Sequence, residues 1–370
     1  MRFIVHACAL FFFPCLLLGA EQVVEVPPVS YNGALFVNAK ARKLYAGWGQ
    51  QEGEYEKGLF VYDIQADGTL TGSDERIYPN SPDPFITDSE HSPTYFLRAV
   101  GCMLLSRDEH KLYLGVQGNR HSESKTLVVY DLDDKGEPKG KPRGYPIGNF
   151  HLGISHMLLD PKLDLLYTIG WGGSGLFTMP LDKAGEPRGE PQTYGFGYNA
   201  KSAMIPSEKY TVLIFGGQTS VLEVGDLTPD GMLQLPVTSV PIPDIKDVVQ
   251  LARVGRFLYF VDRKKLYCWP LDKEWRPVDN PKAMPGILPI SVWEGVHSSL
   301  YVVEGEYVPA GKKGDPPKLV STKIARYKPD DKGNLGKAAY VTETFEKKTV
   351  YTMTVDESSG TIYVSLGALP

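Results

Sequence analysis

Cysteine is scarce in this 370-residue chain: there are four, and Cys8 and Cys15 fall within the first twenty residues. The other two, Cys102 and Cys268, belong to different strands of different repeats, which argues against a disulfide between them and leaves the fold to rest on its core. A basic surplus is lacking as well. The 39 Lys and Arg against 44 Asp and Glu give a net charge of −5, which excludes a surface built to grip nucleic acid. No HExxH, CxxC, GxSxG or Walker-type run occurs, and no usable N-glycosylation sequon. No metal or organic cofactor is therefore expected.

The long apolar stretch stands at the start. Arg2 is the only formal charge among the first twenty residues, residues 7–19 are almost wholly apolar, and Leu18-Gly19-Ala20 offers a small residue for cleavage before Glu21. Too short to span a bilayer, this reads as a secretory signal peptide, residues 1–20, ahead of a single domain, residues 21–370, with an uncleaved anchor as the alternative. Cys15 lacks a lipobox, so no lipid anchor is expected. Cleavage removes Arg2 and no acid, leaving an acidic, exported chain, secreted or periplasmic, with no membrane span of its own.

What the rest of the chain does contain is repetition. Residues 102–140 run through a first apolar strand, a polar turn, a second strand (111–116), a loop, and a third strand (127–132) closed by an Asp and Gly turn. Period-2 strands bounded by turn residues at short spacing mark a four-stranded antiparallel unit. Aligned on the second strand, the copies read Leu44-Tyr45, Leu112-Tyr113, Leu166-Tyr167, Val212-Leu213, Leu258-Tyr259, Leu300-Tyr301 and Ile362-Tyr363. The third strand returns as LFVYDIQADG from residue 59, LVVYDLDDKG from 127 and LFTMPLDKAG from 176, and three more times, but not in the seventh unit.

The expected fold is all-β, a seven-bladed propeller of four-stranded antiparallel blades. Its last blade is incomplete at the C-terminus, and Val23 to Val26 could close the ring. Two motifs are set aside. Asp131, Asp133 and Gly136 hint at a calcium loop, but Pro142 stands where the closing Glu belongs, so a hairpin turn is expected. Gly170, Gly172 and Gly175 spell GxGxxG but join two strands and precede no helix.

Up-and-down connectivity places the long insertions on one face, around one end of the central channel, and the uniform third-strand turns on the other. At that end, eleven positions before each aligned residue, stand Ala34, Cys102, His156, Ser202, Ile290 and Thr352, with Gln250 after a shorter turn. One position earlier come Gly33, Gly101, Ser155, Lys201 and Tyr351; Arg98 and His151 lie slightly further out. His156 is the candidate general base, and a histidine that ties two blades together is the plainer alternative. Arg98 and Lys201 suit a carboxylate or phosphate, or are solvated rim charges. Trp48 and Trp171 are candidate stacking platforms, or rim packing. The loop acids Glu52, Glu54, Glu56, Glu304 and Glu306 are ordinarily just solvated.

These second strands, third strands and Asp/Gly turns resemble, over residues 30–370, the seven-bladed lactonase family typified by bacterial 6-phosphogluconolactonase and carboxymuconate-lactonising propellers. The stretch His156-Met157-Leu158-Leu159-Asp160-Pro161 is similar to that family's Arg-His-x-x-x-x-Pro start of an inner strand. Two departures stand out: Ser155 replaces the family's arginine, and the glutamate expected after the next second strand falls at about Trp171. The resemblance implies a hydrolase of a sugar-derived or other anionic lactone, with His156 activating water, Arg98 or Lys201 as the cation and Glu304 as the substitute acid. Ser155, His151, Ser202, Gln250 and Tyr351, with the two tryptophans, would line the ligand site. The competing expectation is a noncatalytic exported propeller that binds a protein or glycan through its loop-rich face, using Trp48, Tyr55 and Trp171. A monomer is expected in either case.

Overall fold

The computed structural model describes residues 22–26, 33–47, 58–72, 77–78, 100–116, 126–147, 153–160, 162–170, 175–194, 200–204, 211–216, 221–242 and most of 245–309 and 317–369; side chains of 200–220 are outside that description. The proposed signal peptide and the loops carrying Trp48, Tyr55, Arg98, His151 and Trp171 lie outside the described residues.

Every regular element among the described residues longer than one residue is a strand. The first sheet orders β2 (Ala34–Asn38), β3 (Lys43–Gly47), β4 (Leu59–Ile64) and β5 (Leu70–Thr71), with β6 (Ile77–Tyr78) also on β4. The second orders β7 (Val100–Leu105), β8 (Lys111–Val116), β9 (Leu127–Leu132) and β10 (Pro138–Tyr145). The third is β11 (Ile154–Leu159) to β14 (Gln192–Tyr194), the fourth β15 (Ala200–Met204) to β18 (Thr238–Pro241), and the fifth β19 (Gln250–Val254) to β22 (Lys282–Ala283). The sixth runs from β23 (Pro289–Gly295) through β24 (Ser299–Val308) and β25 (Lys318–Tyr327) to β26 (Tyr340–Val341), and β27 (Phe345–Glu346) also pairs with β25.

This is an all-β propeller with six blades of four strands or more. Six full blades, rather than seven, are found; where an incomplete last blade was expected, β28 (Lys348–Asp356) and β29 (Thr361–Ala368) form a sheet of three with β1 (Val23–Val26). β1 lies parallel to β29, Val23 opposite Ile362 and Val26 opposite Ser365, so the N-terminal strand is the outermost of the sheet, as expected, and pairs directly with the second strand. Neighbouring inner strands pack in sequence around the ring. β2 lies against β28 and β7, β11 against β7 and β15, and β19 against β15 and β23, while β28 meets the sixth blade through that blade's third strand, β25.

The repeated tyrosine explains how the sheets are held. Its ring is buried on the second strand of every sheet but the fourth, and in five of them its hydroxyl donates to the carbonyl of the turn glycine in the next blade. The bonds are Tyr45 to Gly136 (2.7 Å), Tyr113 to Gly185 (2.5 Å), Tyr167 to Gly231 (2.9 Å) and Tyr259 to Gly333 (2.8 Å). Tyr363 reaches Gly68 at 3.0 Å, joining the three-stranded sheet to the first blade. Each glycine has φ between 75° and 82°, the left-handed conformation that a side chain resists. The preceding Asp shapes the turn: Asp133 Oδ1 accepts from the amides of Lys135 and Glu137, which bears out the hairpin reading over a calcium loop.

Glycine where the second strands end has a different cause. A Cβ on Gly47 would sit 2.5 Å from Val100, and one on Gly115 2.8 Å from the Ile154 side chain, so the inner strand of the next blade occupies that space.

Candidate functional site

The channel end expected to carry function is built by a shared irregularity. In five inner strands the pairing slips by one residue: between Val100 and Cys102, Ile154 and His156, Ala200 and Ser202, Pro289 and Ser291, and Val350 and Thr352. The extra residue of each bulge is Gly101, Ser155, Lys201, Ile290 or Tyr351. A bulge bends the strand and re-aims side chains, and such devices gather beside functional sites.

Past the bulge, Cys102, His156, Ser202 and Thr352 pair with Gly115, Ile169, Phe215 and Ser365, and Ala34 and Gln250 hold the same register opposite Gly47 and Val261. One expected member is corrected. In the sixth blade Ser291, opposite Val303, holds this position, and Ile290 is the bulged residue. Ser291 is buried, and its hydroxyl has no hydrogen-bond partner among the described residues.

His156 is half-buried beside the bulge, and Gln250 and Thr352 are half-buried on other inner strands at the same level. Ser155 donates its hydroxyl to the carbonyl of Ile169 (3.2 Å), which ties the bulge. Tyr351 donates to the carbonyl of Ala368 (3.3 Å) and lays its ring over Gly367, where a Cβ would sit 1.9 Å from the ring. Cys102 Sγ lies 3.9 Å from the carbonyl of Ile154, and burial pushes its thiol well above its ordinary range. Lys201 and Ser202 take the bulge and the paired position of β15 in the backbone.

Glu304, expected as the substitute acid, is held by partners within its own blade. It sits on β24, one position beyond the residue paired with Ser291, and its carboxylate accepts from Tyr327 and pairs with Lys323 at 3.3 Å. Both partners belong to the third strand of the same blade. The acid is thus anchored across its own sheet.

The opposite, turn-bearing face holds an ion cluster that sequence reasoning missed. Lys111 pairs with Asp131 (2.6 Å) and with Glu186 of the next blade (2.9 Å). Arg143 holds both acids through forked bonds of 2.6–2.9 Å, and Tyr145 donates to Glu186. Arg143 beside it, aided by Lys111, holds the Asp131 carboxyl down at about 2. For Glu186 burial works upward, but Arg143, Tyr145 and Lys111 outweigh it and bring it to about 2. The first blade carries a similar set, with Lys43 held by Asp63 (2.5 Å) and by Glu137 of the second blade. The readable signal was a lysine two residues before the aligned tyrosine and a glutamate just after the turn glycine. Above the cluster opens a groove of about 550 Å³. Among the described residues no group of three or more His, Cys, Asp or Glu could hold a metal ion.

No protein-family model matches the chain, and no curated protein does. Solved structures do match. The periplasmic gluconolactonase of Pseudomonas aeruginosa aligns with a TM-score of 0.55 at 14% identity, covering 85% of each chain. A 6-phosphogluconolactonase described as putative, from Bacteroides fragilis, gives 0.55 at 12% identity and 89% of each chain. The WD40 repeats of RRP9 give 0.57 at 11% identity, over 91% of this chain and 88% of that one. A gluconolactonase and a set of WD40 repeats resemble the chain about equally at such identities, so the likeness establishes the propeller fold alone.

Proposed function

We propose that the chain is an exported lactonase-type hydrolase acting on a sugar-derived or other anionic lactone at the bulged end of its channel. The observation that supports this reading best is His156, half-buried beside a strand bulge at the level of Gln250 and Thr352. The structural likeness to a gluconolactonase and a 6-phosphogluconolactonase accords with it.

In the proposed reaction the imidazole of His156 takes a proton from water, and the hydroxide adds to the lactone carbonyl carbon. Arg98 and Lys201 face the oxyanion that forms. The ring C–O bond then breaks, the alkoxide recovers the proton from the imidazolium, and a hydroxy acid leaves. Ser202, Gln250, Tyr351 and His151 are assigned to substrate hydroxyls, and Trp48 and Trp171 to a sugar face. Ser155 positions His156 through the bulge. Glu304 receives no role. We also count the three-stranded sheet as the seventh blade, a reading supported by the Tyr363 bond to Gly68, which repeats the seam bond of the other blades. Residues 1–20 are proposed as the signal peptide; among the described residues no helix is long and apolar enough to cross a membrane.

The test is hydrolysis of a lactone panel by wild type and His156→Ala, with folding followed by circular dichroism. Turnover lost in a folded variant supports the proposal, and equal rates overturn it. The alternative of a protein- or glycan-binding propeller draws on one observation. The β24–β25 hairpin of the sixth blade ends with Tyr307 and Val308 39% and 40% exposed, beside Leu288 at 54%. Saturable binding of a protein or glycan that is lost in Tyr307→Ser, with no turnover of any lactone, would favour that alternative.

A further inference from the structure

We propose that the groove on the turn-bearing face, between the second and third blades, binds a small, multiply charged anion of the phosphate type. This site is separate from the channel end and does not rest on the lactonase reading.

The argument begins in β10. Its pairing with β9 is broken between Lys139 and Arg143, so Gly140, Lys141 and Pro142 are carried out of the ladder. Gly140 has φ 70°, and a side chain there would meet nothing within 4 Å. Lys139 and Lys141, on either side of it, are exposed and line the groove. At the corresponding place the third blade has Arg188 and Glu190, and the fifth has Val278 and Asn280, so paired lysines are a property of this blade.

Charge accounting shows what the lysines lack. The nearby acids are already committed: Asp131 and Glu186 to Lys111 and Arg143, and Asp108 to the Ser106 hydroxyl (2.6 Å) and the His110 amide (3.2 Å). Lys139 and Lys141 make no ion pair with a described residue. Lys111 and Arg143 balance Asp131 and Glu186, Asp108 adds one negative charge, and the two ammonium groups turn the groove net positive by one, on a chain whose net charge is −5. General electrostatics would repel an anion, and this site attracts one locally. Ammonium groups are point charges that accept a phosphate without demanding planar geometry, and a volume of about 550 Å³ suits a small ligand. His110, also on the wall, adds a ring nitrogen as a further donor.

Pyrophosphate is the probe, titrated calorimetrically into the full chain at low ionic strength. Saturable binding is expected, weakened about tenfold or more in K139E/K141E and weakened by salt in the wild type. The matched charge reversal K273E/K332E, at exposed turns of the fifth and sixth blades, should leave affinity unchanged, as should His156→Ala. Absence of saturation, an equal loss in K273E/K332E, or a loss in His156→Ala would overturn the proposal. Circular dichroism of each variant separates loss of binding from loss of fold.

Discussion

Replacing Tyr363 by Phe should destabilise the whole ring, although it removes a single oxygen from a strand near the C-terminus. The ring of Tyr363 is fully buried, and its hydroxyl donates to the Gly68 carbonyl at 3.0 Å, nearly three hundred residues away in sequence. A net intramolecular hydrogen bond contributes about 1 kcal/mol, and a carbonyl left buried without its donor adds a desolvation cost, so the expected loss is about 1–2 kcal/mol. Packing changes little, because Phe fills the same volume. Urea unfolding followed by tryptophan fluorescence would read this as a lower midpoint at unchanged slope. Tyr45→Phe, whose hydroxyl makes the same bond to Gly136 at 2.7 Å, provides the internal standard. If Tyr45→Phe costs this amount while Tyr363→Phe is neutral, the three-stranded sheet does not close the ring through this bond, and the reasoning that makes it a blade fails.

Other outcomes follow from the same seams. Gly136→Ala should cost about 2–3 kcal/mol in the same assay, since its φ of 75° strains an L-residue and the added Cβ would lie 2.7 Å from Ala41 and 3.0 Å from the Tyr45 hydroxyl. Acid should loosen the seam between the second and third blades. Asp131 and Glu186 sit at about 2 in the folded chain, below their ordinary values near 4, so the unfolded state binds more protons in between. The stability they contribute is complete above pH ~4–5 and lost as pH falls toward 2; in Arg143→Leu that acid limb of the unfolding midpoint should flatten. Alkali should act with the opposite sign. Burial, with nearby acids, raises Tyr363 and Tyr145 to about 12, so the folded state keeps protons that the unfolded one has released, and stability falls as pH climbs from ~10 toward 12. Ultraviolet titration of phenolate should show these tyrosines ionising late.

Much of this architecture was legible because each blade repeats two positions with a fixed physical task. The aligned tyrosine must reach a carbonyl, and the turn glycine must hold a positive φ to present it, so both residue types recur at matching places. The parts that were not legible depend on register. Ile290 rather than Ser291 was expected at the channel because a bulge inserts one residue without any marker in composition, and a one-residue slip exchanges the two positions. Glu304 looked like an acid at a strand end; that Tyr327 and Lys323 already hold it depends on which face of β24 it takes. The groove lysines were invisible for a similar reason, since what separates Lys139 and Lys141 from solvated charges is the committed state of the acids around them.

Two seams depart from the pattern: the three-stranded sheet offers Tyr301 no third-strand turn, and the seam between the fourth and fifth blades has changed both residues. In the fourth blade the aligned residue is Leu213, which has no hydroxyl to donate, and the turn it would face in the fifth blade carries Trp275 in place of glycine. Trp275 still adopts a φ of 65°, so the turn geometry survives the loss of its usual residue. Its indole packs with Arg253 and Arg256, whose guanidinium carbons lie 5.2 and 5.1 Å from the ring, and joins the core beside Leu251. Donor and glycine are absent together at this seam, while five other seams keep both. The two positions therefore act as one unit: once there is no hydroxyl to receive, the carbonyl need not be left uncovered, and a large side chain can occupy the turn and pack against its own blade. That logic makes Leu213→Tyr unprofitable. Its midpoint should not rise above that of wild type, because the turn it would meet carries Trp275 in place of glycine.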